Sequence, residues 1–197
     1  MDKIDFVKKV SVVAIENYDE YRILPSLAVA QASLESGWGK SHIQNNIYGI
    51  KAGKSWTGKI AIRKTREWDG TKYIINEARF RAYDSFEDSV LDYLKLLGKA
   101  KRYERIRDTK DYKEACRLIY ECGYATDPKY SEKLVKIIET NKLFLYDDKI
   151  NNVSDWAKKP WEWAVEKGII DGKNPKGYAT REQVVTMLYR TGYHPNY

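Results

Sequence analysis

Little in these 197 residues suits redox or metal chemistry, since the chain has only two cysteines and two histidines. Cys116 and Cys122 lie six residues apart in one predicted helix. That is nearly two turns, too far to bridge easily, so reduced thiols are expected. His42 and His194 come with no Cys-x-x-Cys spacing, so neither a metal nor a cofactor is expected. No apolar run approaches the roughly 18–20 residues that cross a bilayer, which excludes membrane insertion by a helix. The start, Met1-Asp2-Lys3-Ile4-Asp5-Phe6-Val7-Lys8-Lys9, interleaves charge with apolar residues and lacks a signal-peptide apolar region. The expectation is that a leader has been removed, or that the protein leaves the cell by a route needing none. Long basic runs are missing too: Lys99-Ala-Lys-Arg-Tyr-Glu104-Arg-Ile-Arg-Asp108 interrupts its cations with acids. Nucleic acid is therefore not an expected partner.

What is present describes a globular chain, 43% hydrophobic and 32% charged, long enough to bury a core. The formal charge is +7, from 35 Lys and Arg against 28 Asp and Glu. From Asn151 onward there are seven basic and five acidic residues, so the basicity is spread along the chain. Such a balance suits an anionic surface.

The periodicity predicts a mainly α fold with a small β-hairpin lobe. A first helix spans about Asp2 to Tyr18, with Ile4, Val7, Val10, Ser11 and Ala14 on its apolar face. From Thr57 the pattern changes to period two, with Ile60 and Ile62 on one side, and Asp69-Gly70 is a hairpin signal before the return strand through Tyr73 and Ile75. Ser85-Phe86-Glu87-Asp88 has the shape of a capping box opening a helix to about Leu97. Another helix spans about Tyr112 to Glu121 and stops at Gly123. Asp127 is expected to cap the next, with Pro128 at its first position.

One stretch carries a chemical signal. In Ala30-Gln31-Ala32-Ser33-Leu34-Glu35-Ser36-Gly37-Trp38-Gly39, a helix of small and apolar residues opened by Pro25 delivers a single carboxylate just before two glycines end it. A carboxylate entering an apolar pocket has its charged form disfavoured, so Glu35 can hold a proton near neutral pH and serve as a general acid.

This stretch, together with Asn45-Asn46-Ile47-Tyr48-Gly49-Ile50-Lys51 and Gly123-Tyr124-Ala125-Thr126-Asp127-Pro128, resembles glycoside hydrolase family 73. Those are the peptidoglycan-cleaving glucosaminidases of autolysins, flagellar muramidase-like proteins and phage endolysins, and they share a lysozyme-like fold. The resemblance covers roughly residues 3–145. It implies an endo-β-N-acetylglucosaminidase acting on peptidoglycan, with Glu35 as acid. Glu67, in Thr65-Arg66-Glu67-Trp68 on the hairpin, matches the segment that carries the family's second acidic residue. A carboxyl separation of roughly 6.5–9.5 Å favours an inverting, water-activating base and about 5–5.5 Å a nucleophile. Participation by the sugar's own acetamido group is a third option. Tyr124, in preference to Tyr130, can hydrogen-bond the acetamido group or the attacking water. Trp38, Tyr48 and Trp68 can offer ring faces to sugars, and Asn45 and Asn46 can present amides to N-acetyl groups. A muramidase or lytic transglycosylase on the same fold is the alternative activity, and a wall-binding protein without catalysis is the alternative class.

Asp147-Asp148-Lys149-Ile150-Asn151-Asn152 reads as a joint. It separates a catalytic domain, residues 1–146, from a module at residues 153–197, with 147–152 as linker. The tail, with Trp156, Trp161, Trp163 and a capping box at Thr180-Arg181-Glu182-Gln183, resembles a single S-layer homology module. That implies binding to a secondary wall polysaccharide through Arg181 and Glu182, and about 40 residues suggests packing on a neighbour or pairing into a homodimer. Without a leader, the expected setting is a phage or prophage endolysin released by a holin rather than a secreted autolysin.

Overall fold

The computed structural model describes residues 1–68, 71, 73–151, 153, 155–172, 175 and 179–192, with backbone alone at 65–68, 73–76, 151 and 155. The chain divides into two compact units, Met1–Asp147 and Asp148–Tyr197.

In the first unit, helix α1 (Lys3–Glu16) is capped by Asp2, whose Oδ1 accepts the Asp5 amide at 2.8 Å. Val7, Val10, Ser11 and Ala14 are buried as the spacing predicts, but Ile4 is 79% exposed. Phe6 takes the inward place because its ring meets Trp38 and Phe86 edge to face, at centroid distances of 6.3 and 6.1 Å. A short helix α2 (Tyr18–Tyr21) leads to α3 (Pro25–Ser36), which carries Glu35 and is packed against α1 and two later helices.

Helix α3 has Pro25 in its first turn, and its cap residue Leu24 has no side chain to offer. Asp147 supplies one from 121 positions away, its Oδ1 accepting the Ser26 amide at 2.8 Å. Asp147→Ala should therefore lower stability by about 1 kcal/mol, or about 2–4 °C in melting midpoint. Calorimetry of the full chain checks this, and an unchanged midpoint would show that α3 needs no such cap.

Strands β1 (Ile60–Trp68) and β2 (Tyr73–Arg81) form a two-stranded antiparallel sheet in which Ile60 faces Arg81 and Trp68 faces Tyr73. The predicted turn at Asp69-Gly70 lies outside the described residues. Ala61 and Ala78 turn inward whereas Ile62 is 63% exposed, so the expected apolar side of the ribbon is the other one. A lone ribbon is solvated on most of both faces, and the small residues are those pressed on the body.

Helix α4 (Phe86–Lys99) opens with the predicted capping box, Ser85 and Asp88 each bonding the other's backbone amide. Helix α5 (Tyr112–Glu121) is followed by Gly123 at φ +70°. Helix α6 (Tyr130–Thr140) starts two residues later than expected. Asp127 caps the preceding turn instead, its Oδ1 accepting the Lys129 amide at 2.9 Å and its carbonyl the Tyr130 amide at 2.9 Å. Helices α3, α5 and α6 pack on one another, and the core lies between them and the α1–α4 pair. Cys116 is buried and both thiols are free, as the spacing predicts.

In the second unit, helix α7 (Lys158–Glu166) and helix α8 (Arg181–Arg190) are joined by hydrogen bonds from Arg190 to the Ile169 carbonyl and from the Ile169 amide to the Ala164 carbonyl. The Thr180–Gln183 capping box is formed. No helix among the described residues is long and apolar enough to cross a membrane.

Candidate active site

Glu35 stands in the last turn of α3, where Gly37, Trp38 and Gly39 all take positive φ, 55°, 63° and 74°, and turn the chain off the helix. It opens into a groove of about 700 Å³ whose walls come from α3, the loop through Tyr48 to Lys51, the short helix Lys101–Ile106, the Gly123–Asp127 loop and α6. As a whole residue Glu35 is exposed, but the groove walls deprive its carboxyl group of enough hydration to raise its pKa. A hydrogen bond from the Tyr130 hydroxyl to Oε1, at 2.7 Å, opposes that rise in part.

The Gly123–Asp127 loop is held in place by Arg102, whose Nε donates to the Cys122 carbonyl at 2.5 Å and whose Nη2 donates to that of Gly123. A Cβ at Gly123 would meet that guanidinium at 2.9 Å, and the left-handed φ independently favours glycine there. Tyr124 follows, its hydroxyl donating to the Tyr48 carbonyl at 3.4 Å. Burial, then the nearby hydroxyls and Glu35, push its pKa well up, so it stays a neutral donor. Lys51, Arg102 and Lys133 also line the groove, a cationic component that motif matching alone did not single out. Among the described residues no cluster of acidic, histidine or cysteine side chains is arranged for a metal.

The sequence-predicted residues separate into two groups. Glu35, Tyr124 and Tyr130 converge on the groove. Trp38 does not border it: the run of positive φ swings its indole onto Phe6, with Lys3 Nζ 4.0 Å from the ring centroid. Tyr48 borders the groove but is 3% exposed, with Tyr93 stacked on its ring at 3.9 Å and its hydroxyl bonded to the Ala28 carbonyl. It belongs to the core and has little ring face left for a sugar. Asn45 donates to the carbonyls of Tyr83 and Asp84.

Asn46 is likewise structural. Its Nδ2 donates to the Ile50 and Arg81 carbonyls at 2.9 and 2.8 Å, and its Oδ1 accepts the Ile50 amide at 3.0 Å. Each of these atoms is engaged, tying the loop to the base of β2. Asn46→Ala strands buried backbone groups and should cost about 3 kcal/mol or more in denaturant unfolding. Full stability with a raised KM would instead make Asn46 a substrate ligand.

The backbone of Glu67 lies on β1 opposite Ile74, and that of Trp68 ends the strand. Their side chains are outside the described residues. Arg181 and Glu182 occupy the exposed first turn of α8. Sequence reasoning missed Gln31, although a lone amide four residues before Glu35, in a helix of small apolar residues, was a visible signal.

Residues 12–143 match the glucosaminidase family model, described as mannosyl-glycoprotein endo-beta-N-acetylglucosaminidase. The chain belongs to the glucosaminidase family. Its relatives include the exo-glucosaminidase LytG of Bacillus subtilis, 35% identical over 139 residues, which are 66% of this chain and 49% of that protein. The peptidoglycan hydrolase FlgJ of Vibrio parahaemolyticus is 38% identical over 120 residues, 57% of this chain and 39% of that one. The chain thus spans half or less of the length of these curated relatives. The catalytic domain of the autolysin Auto from Listeria monocytogenes superposes with a TM-score of 0.64 at 32% identity, over 74% of this chain and 87% of that domain. The mainly helical, lysozyme-like architecture with a small two-stranded antiparallel sheet is therefore the fold of this glucosaminidase family member.

Proposed function

We propose that the first unit is an endo-β-N-acetylglucosaminidase that hydrolyses the β-1,4 bond following N-acetylglucosamine in peptidoglycan. The observation that carries this is a carboxyl group with raised pKa, hydrogen-bonded by a tyrosine, in a groove of ligand size. Family membership and relatives named as peptidoglycan hydrolases support it.

Protonated Glu35 gives its proton to the glycosidic oxygen as the C1–O bond breaks, the bonding pair leaving with that oxygen. Water adds to C1 of the oxocarbenium-like centre, and Glu67 takes the proton the water loses. Tyr124 turns its hydroxyl hydrogen from the Tyr48 carbonyl, 3.4 Å away, to the acetamido group or to that water. Mass spectrometry of digested peptidoglycan tests the proposal: a new N-acetylglucosamine reducing end supports it, a muramic acid reducing end reassigns the bond, and a 1,6-anhydromuramic product makes the enzyme a lytic transglycosylase. Release of single terminal sugars would instead mark an exo mode.

The second unit is proposed to be a single S-layer-homology-like module that holds secondary wall polysaccharide through Arg181 and Glu182 and pairs with a second copy. The exposed apolar side chains Trp156, Val185 and Leu188 support a need for a partner surface. Retention of the full chain on purified wall polysaccharide should fall several-fold in Arg181→Ala. Equal retention would remove that role. Delivery as an endolysin rather than as a secreted autolysin is the finer part of the proposal.

A further inference from the structure

A chain of side-chain hydrogen bonds runs from the core to Glu35. The Tyr93 hydroxyl, on α4, donates to Gln31 Oε1, on α3. Gln31 Nε2 donates to the Tyr130 hydroxyl, at the start of α6, at 3.0 Å. Tyr130 in turn donates to Glu35 Oε1 at 2.7 Å. Gln31 and Tyr93 are wholly buried and Tyr130 nearly so. Gln31 and Glu35 are four residues apart, so they share one face of the helix.

The chain has only one direction that satisfies its members. A glutamine Nε2 has hydrogens and no lone pair to offer, so it must donate to Tyr130, whose own proton is then left for Glu35. Turning the amide over would leave the Tyr93 O–H facing an N–H, and a buried hydroxyl hydrogen would lose its only acceptor among the described residues. Tyr93 is itself held by its stack on Tyr48, at a ring-centroid distance of 3.9 Å and 5° between planes.

This polarity decides where the acid keeps its proton. Oε1 of Glu35 is an acceptor whether the carboxyl is ionised or not, so in the acid form the hydrogen sits on Oε2. That oxygen makes no hydrogen bond among the described residues and is free to meet a glycosidic oxygen in the groove. We propose that Gln31 and Tyr93 are positioning residues which, by fixing the direction of the Tyr130 hydroxyl, place the proton of Glu35 on Oε2. This rests on the acid role proposed above for Glu35.

Other charged and hydroxyl groups share the groove with Glu35. The cations lining the groove are Lys51, Arg102 and Lys133; the anion besides Glu35 is Asp127; the hydroxyls besides that of Tyr130 are those of Tyr48, Tyr103, Tyr124 and Thr126. None belongs to the chain of four, and Tyr93→Phe keeps the ring on which Tyr48 and Tyr124 rest, so the substitutions at Gln31 and Tyr93 are chosen to leave them in place. A shift in Glu35 titration between those variants then reports the relay.

Gln31→Met and Tyr93→Phe, in the full chain, keep volume while breaking one link each. Each should lower kcat about tenfold on soluble peptidoglycan fragments, with KM unchanged. Each should also move the alkaline limb of the pH profile upward, because a weaker Tyr130 donor stabilises the ionised carboxylate less. Tyr130→Phe should move the limb in the same direction and further, and in that background Gln31→Met should add nothing. A carbon-13 titration of the Glu35 carboxyl follows the same shifts without turnover.

Loss of activity with the limb unmoved, or effects that add fully to Tyr130→Phe, would overturn the relay while leaving Glu35 as acid. Should Glu35→Gln keep its activity, the acid assignment itself fails, and the carboxyl titration alone still decides whether the relay exists. Melting curves of the variants separate this from misfolding: a lost transition counts against Gln31→Met, and Tyr93→Phe then carries the test.

Discussion

Replacing Glu35 by Gln should reduce hydrolysis of peptidoglycan by a factor of about 10²–10⁴, the usual contribution of a positioned general acid. The amide is nearly the same size and still accepts the Tyr130 hydroxyl, so fold and binding should survive while the transferable proton is gone. In the unsubstituted protein the pH dependence follows from the same group. Loss of hydration in the groove raises the pKa of Glu35 from its ordinary value, the Tyr130 bond offsetting part of that rise. On the proposed acid role the active species is the protonated one, so activity should be retained below the raised pKa and fall as pH climbs through it. In Glu35→Gln the residual rate should show no alkaline limb from this group. Turbidity clearing of purified walls across a pH series checks both points, and undiminished clearing by the variant would leave a wall-binding protein without this acid.

Much of the secondary structure in both units was legible because it depends on neighbours in sequence. Pro25 and Gly37 bracket α3, Ser85 and Thr180 open α4 and α8 with capping boxes, and alternation marked the ribbon. What sequence could not give depends on distant partners. Ile4 and Phe6 both suit an apolar face, and only the rings of Trp38 and Phe86, contributed by later segments, select Phe6. Asn46 reads as a turn residue or a sugar ligand until the Arg81 carbonyl, 35 positions on, claims its amide. Trp38 adjoins Glu35 in sequence, but three successive positive φ angles send its ring to α1. Tyr130, ranked behind Tyr124 on motif alone, is the hydroxyl that reaches Glu35, because the contact between α3 and α6 brings residues 95 positions apart within 2.7 Å.

The second large effect concerns how water is delivered. Glu67→Gln should lower the hydrolytic rate by about 10²-fold if Glu67 removes the proton of the attacking water, with KM little changed because the residue works on water rather than on sugar. Its place on β1, one residue before the strand ends, puts it on the lobe separate from the helix that carries Glu35. A base variant still protonates the leaving group, so added azide, a nucleophile needing no deprotonation, should restore turnover in Glu67→Gln and not in Glu35→Gln. The anomer formed distinguishes the roles: inverted product places a water between two separated carboxylates, whereas retained product places a nucleophile at C1. If Glu67→Gln keeps full rate and the product is retained, the acetamido oxygen of the substrate is the nucleophile. Removing that group from the substrate should then abolish turnover, and Tyr124, proposed above to donate to the acetamido, should become the more sensitive position to truncate.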